Sequence, residues 1–143
     1  MTGDRGTVLA VRNEAGNSDW PTRWIATDSE GHVAGSVNCR LSVLGDLSRA
    51  YPAGLADREL AVEAGTSAPA LAQIVTVLFE RYPRCRRIVF SAAVGDLDSI
   101  ALAESAGFRF TVDVETPTRQ LSLLVAEPEW VLVQPSALED IPL

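Results

Sequence analysis

Few side chains of this 143-residue sequence are of a type and spacing that could do chemistry. The single histidine, His32, has an unperturbed pKa nearest neutrality, but its setting in Ser29-Glu30-Gly31-His32 between two β-forming stretches places it at a hairpin tip. Glu59 and Glu63 alternate with Leu60, Val62 and Ala64, so period-two spacing puts both carboxylates on one strand face, where solvated charges are common. Arg84, Arg86 and Arg87 form a small basic cluster around Cys85 of the kind found at solvated turns. Cys39 and Cys85 have no C-x-x-C spacing and one histidine supplies a zinc site poorly, so two unpaired thiols and no metal are expected. All twelve basic residues are arginines, which excludes Schiff-base lysine chemistry and a P-loop lysine. Trp20, Trp24 and Trp130 can line a pocket or simply bury aromatic surface.

The elements that must position these residues follow from periodicity and punctuation. A modest strand is expected over residues 6–12, a polar loop over 13–22, and a hairpin from 24–27 and 33–43 around the Gly31 turn. Residues 44–57 read as a connection with a short helical turn near 47–51. Residues 58–64 alternate as a strand, after which Thr66 or Ser67 can cap a helix with Pro69 in its first turn. Leu71, Ile74, Val75, Leu78 and Tyr82 recur at helical spacing up to Pro83. Residues 87–93 suit a buried strand. Asp96 caps a second helix that Gly107 ends, residues 108–115 and 121–126 are strands, and residues 130–133 are apolar. This order predicts a single α/β (α+β) domain over residues 1–143, with right-handed β-α-β crossovers placing a parallel pair inside a mostly antiparallel sheet flanked by helices.

The formal net charge of -7 argues against a nucleic-acid partner, which calls for a clustered basic face. No run approaches the roughly 20 apolar residues of a membrane span and the N-terminus lacks a signal-peptide core, so no membrane partner and a cytoplasmic location are expected.

Residues 58–108 resemble the acyl-CoA-binding half of the GCN5-related N-acetyltransferase (GNAT) family. There a strand ending Val-x-Pro leads into Arg-Gly-x-Gly-Leu-Ala, whose N–H groups receive the CoA pyrophosphate. Val62 and Ala64 match the valine and proline, and Leu71 and Ala72 match the last two residues; Ser67 stands for the arginine, and Ala68 and Ala70 for the two glycines. Downstream, Asp96-x-x-Ser99-Ile100-x-Leu102-Ala103-Glu104-x-x-Gly107-Phe108 is similar to the family's Asn-x-x-Ser-Ile-x-Leu-Ala-Glu-Lys-x-Gly-Phe. Its form is similar to the branch that modifies amino groups of proteins, which often lacks the tyrosine acid that others carry at the position of Ala103. The two helices that usually follow the first strand have no room between Arg12 and Trp24.

The resemblance implies an N-acyltransferase that uses acetyl-CoA or another acyl-CoA and a small-molecule or peptide amine. It implies donor contacts from Val62, Ala64, Ser67, Ala68, Ala70, Leu71, Ala72, Asp96 and Ser99, with Glu59 or Glu63 as the base that takes the amine's proton. The basic cluster at residues 84–87 would then be a candidate for the 3'-phosphate. Two other readings stay open: a non-catalytic GNAT-like binding module, and a structural half completed by homodimerisation through residues 130–133.

Overall fold

The computed structural model describes residues 9–42 and 56–128. The helical turn expected near residues 47–51 and the apolar stretch 130–133 lie outside these residues. Among the described residues, seven strands, β1 (Ala10–Ala15), β2 (Thr22–Thr27), β3 (Val33–Leu41), β4 (Arg58–Val62), β5 (Ile88–Ala93), β6 (Arg109–Glu115) and β7 (Gln120–Ala126), form one sheet in the order β1-β2-β3-β4-β5-β7-β6. Only β4 and β5 pair in parallel; every other neighbouring pair is antiparallel. Helix α1 (Ala68–Arg81) makes the crossover between that pair, and α2 (Leu97–Ser105) connects β5 to β6.

Helix α1 forms where local signals agree. Ser67 is its N-cap and accepts from Ala70 N, Pro69 sits in the first turn, and Tyr82 is the C-cap just before Pro83. Ala70, Leu71, Ile74, Val75 and Leu78 lie on its buried side, against Trp24, Val37, Leu60, Ile88 and Phe90 of the sheet. Each large aliphatic side chain removed from water here contributes roughly 1.5–3 kcal/mol. A second cluster, Val89, Leu121, Leu123 and Val125 with Val114 packed on it, has the opposite strand parity and so occupies the other face of the sheet.

One expectation is corrected. Residues 13–15, read as loop from their polarity, belong to β1, where Asn13 pairs with Trp24 and Ala15 with Thr22. β1 is an edge strand exposed along nearly all its length, so it has no apolar alternation to display. The true turn is short. Gly16 N donates to Pro21 O at 2.8 Å and Asn17 Oδ1 accepts from Trp20 N at 2.7 Å, while Gly16 lies so close to Trp20 O that a Cβ would clash.

Candidate functional site

The parallel pair opens a cleft. β4 and β5 are paired only at Arg58↔Ile88, Glu59↔Val89 and Leu60↔Phe90. Beyond that point each strand keeps its outer partner, Val62 with Val37 on β3 and Ala93 with Leu121 on β7. The strands therefore part from one another without fraying from the sheet. A cleft of about 320 Å³ lies between their C-terminal halves, bordered by Val62, Glu63 and Ala64 on one side and Ser91, Ala93, Asp96 and Ser99 on the other. Edges that separate leave N–H and C=O groups without ladder partners, and an extended ligand with amides of its own can satisfy them.

A tight turn leads from β4 to α1. Thr66 N donates to Glu63 O at 3.3 Å, and Gly65 takes φ 86°, the positive value that the third residue of a type II turn requires. Thr66 Oγ1 accepts from Ser36 N at 3.0 Å and donates to Glu63 O at 2.8 Å, which ties the turn to β3. Gly35 makes that approach possible: a Cβ there would stand 2.5 Å from Thr66 Cγ2 and 3.0 Å from Ala70 Cβ.

This packing engages most of the donors at the start of α1. Thr66 N bonds Glu63 O, Ser67 N bonds Ala34 O at 3.1 Å, Ala70 N bonds Ser67 Oγ at 3.2 Å and Leu71 N bonds Ser67 O at 3.0 Å. Pro69 has no N–H. Among the described residues, the N–H groups of Gly65 and Ala68 are the ones left between positions 65 and 71 to meet an anion.

The two strand carboxylates do share a face, and each is held by an arginine. Glu63 accepts from Arg23 Nε at 2.7 Å, Arg23 Nη2 at 2.8 Å, Ser36 Oγ at 2.6 Å and Asn38 Nδ2 at 3.2 Å. Arg23, then Ser36, hold its carboxyl down to about 2, against an ordinary 4.5. An acid that strong remains ionised and is a weak proton acceptor at neutral pH. Glu59 is buried, bonded by Arg40 Nε at 3.1 Å and Nη2 at 3.2 Å, and does not border the cleft. Arg40 in turn lies 3.9 Å from the centre of the Trp20 ring.

The remaining candidates separate. Asp96 borders the cleft as the N-cap of α2, with Ser99 N donating to Oδ1 at 3.2 Å and Ser99 Oγ to Oδ2 at 2.7 Å; these bonds lower its pKa. Ala70 and Leu71 are core residues, and Ala72 faces a different groove, beside Val75 and Phe79. Arg84, Arg86 and Arg87 precede β5 and so lie at the end of the strand away from the cleft. There Asp57 Oδ1 accepts from Arg86 N and Arg87 N, both at 3.2 Å, and the length of β5 separates the cluster from the cleft. His32 is exposed at the β2–β3 turn, its N–H donating to Asp28 Oδ1 at 2.9 Å. Trp24 is buried, edge-on to Tyr82. Cys39 and Cys85 are free and buried, and burial pushes their thiols up to about 12 and 11. No motif or spacing singles out Arg23, Ser36 or Asn38, and Thr66 enters the sequence only as a possible helix cap, a role that Ser67 takes; strand parity groups Ser36 with Asn38, but only the sheet register brings them and Arg23 to Glu63.

No family model and no curated protein matches the chain, so its likeness to known proteins rests on structure. The aminoglycoside acetyltransferase AAC(6')-Ib in complex with coenzyme A and kanamycin superposes with a TM-score of 0.61 at 17% identity, over 80% of this chain and 70% of that one. An uncharacterized protein from Bacillus halodurans gives 0.66 at 19% identity, over 78% and 61%. The ribosomal-protein-alanine N-acetyltransferase from Brucella melitensis gives 0.52 at 20% identity, over 75% and 68%. The matched part thus spans between 61% and 70% of the length of these structures. At such identities the likeness concerns architecture, and the chain has the GNAT fold.

Proposed function

We propose that the chain is an acyl-CoA-dependent N-acyltransferase that uses acetyl-CoA and a small-molecule or peptide amine. The observation that carries this reading is the parting of β4 from β5 beyond Leu60 and Phe90, with Glu63 at its rim. Structures of the same architecture hold coenzyme A together with kanamycin or acetyl-CoA with paromomycin, which supports an amine acceptor. The unpaired strand edges and the narrow cleft fit an acylated pantetheine arm. Val62 and Ala64 on one side, and Ser91 and Ala93 on the other, would hold it through backbone groups.

When bound, the donor supplies a thioester carbonyl to which the amine nitrogen bonds as the carbon–sulfur bond breaks and the thiol departs. The chain's part is positional. Glu63, kept anionic by Arg23, orients the incoming ammonium at the rim of the cleft; one proton then passes to water to free the nitrogen lone pair, and the proton lost as the amide forms goes to the departing sulfur. Glu59 holds Arg40 and stands apart from the reacting groups. The engaged donors of residues 66–71 favour, as a second reading, a binding module that transfers nothing.

One experiment decides between them. Acetyl-CoA is titrated calorimetrically, and acetylation of an aminoglycoside and of a peptide with a free N-terminus is followed by mass spectrometry. Binding with a mass gain of one acetyl group supports the transferase. Binding with no transfer to any primary amine, or no binding at ligand concentrations of about 1 mM, removes the transferase and supports the non-catalytic module.

A further inference from the structure

We propose that this cleft selects its donor by the acyl-pantetheine arm alone, so that the adenosine diphosphate portion of an acyl-CoA adds little to recognition. The inference rests on the transferase reading above and names the part of the substrate that the site recognises.

Anchoring a diphosphate at a helix N-terminus requires free N–H groups, backbone that can approach closely, and usually a basic side chain. The start of α1 is short of all three. Four of its N–H groups are bonded to Glu63 O, Ala34 O, Ser67 Oγ and Ser67 O, and Pro69 has none, which leaves Gly65 and Ala68. Ala68 and Ala70 carry methyl groups, and Ala70 is fully buried against the sheet, where it cannot turn to a ligand. Among the described residues that border the cleft there is no arginine; the charge of Glu63 is met by Arg23 from outside the cleft, while Asp96 and Asp98 add two further carboxylates to its border. Polyanionic phosphates brought to this rim would meet like charge. The arm itself meets none of these obstacles, because the parted strands offer neutral backbone edges along Val62–Ala64 and Ser91–Ala93.

The test compares acetyl-CoA with acetyl-pantetheine, which lacks the diphosphate and adenosine, on the native protein by calorimetric titration at low and high salt. The expected result is dissociation constants within about fivefold of each other, with little salt dependence. Inorganic pyrophosphate should not displace acetyl-CoA. Acetyl-CoA binding more than about 50-fold tighter than acetyl-pantetheine, or displacement by pyrophosphate, would overturn this inference and leave the transferase reading standing. Binding of neither thioester would overturn the transferase reading itself. A second arm uses Ser67→Arg combined with Ala68→Gly and Ala70→Gly, which should tighten acetyl-CoA at least about tenfold and leave acetyl-pantetheine unchanged. Equal tightening of both thioesters would also count against the inference.

Discussion

Arg23 on β2 grips both carboxylate oxygens of Glu63 at the end of β4, Nε to Oε2 at 2.7 Å and Nη2 to Oε1 at 2.8 Å, with β3 lying between them. Its Nη1 reaches Glu14 on β1 at 3.1 Å, so the pair belongs to a chain of charges across four strands.

The grip sets a pH dependence. Glu63 is depressed from 4.5 to about 2, so its share of stability is complete above 4.5 and is lost as pH falls through about 2. Replacing Arg23→Ala should move the Glu63 midpoint up toward its ordinary value in a carboxyl carbon NMR titration. Since both side chains are about one-third exposed, the loss of stability at neutral pH should be only about 1 kcal/mol. An unmoved midpoint would refute the assigned cause of the depression.

Kinetics separate two roles for that carboxylate. As an orienting anion, Glu63→Gln should lower kcat/KM for the amine by about 10- to 100-fold, mainly through KM. A fall in kcat of roughly 10²- to 10⁴-fold with KM preserved would assign it instead the proton-accepting role expected from the sequence.

Glu59 is expected to matter for stability. Its side chain is 4% exposed and that of Arg40 is 11%, so Glu59→Ala leaves a nearly buried guanidinium without its counter-charge. The cost should be about 3 kcal/mol, with the Glu59→Ala/Arg40→Ala double variant losing less than the sum of the single losses. Urea unfolding measures both. Additive losses would mean that the pair is not coupled.

Gly35→Ala probes the seat of the turn. Its new Cβ would meet Thr66 Cγ2 at 2.5 Å, forcing the turn or the start of α1 to move. A destabilisation of about 1–3 kcal/mol is expected, and thioester affinity should weaken in parallel. A variant with native stability and native affinity would show that the turn can shift without altering the cleft.

Much of the fold was legible because its signals are local. Ser67, Pro69 and the apolar spacing from Leu71 to Leu78 define α1 by capping and periodicity, and the length of that helix already implied a parallel crossover between β4 and β5. The alternation from Arg58 onward correctly put Glu59 and Glu63 on one face. Three things were decided by tertiary structure. Residues 13–15 became strand because backbone pairing to β2, and not burial, holds an exposed edge. β7 lies between β5 and β6 because pairing partners are chosen by register across the sheet, which leaves no trace in the spacing of either segment. The electrostatics of Glu63 and the engagement of Ser67 N by Ala34 O join residues distant in sequence, 40 positions apart for Arg23 and Glu63. Motif spacing reports which residues are near one another along the chain; which hydrogen-bond donors remain free for a ligand depends on what the fold has already brought against them.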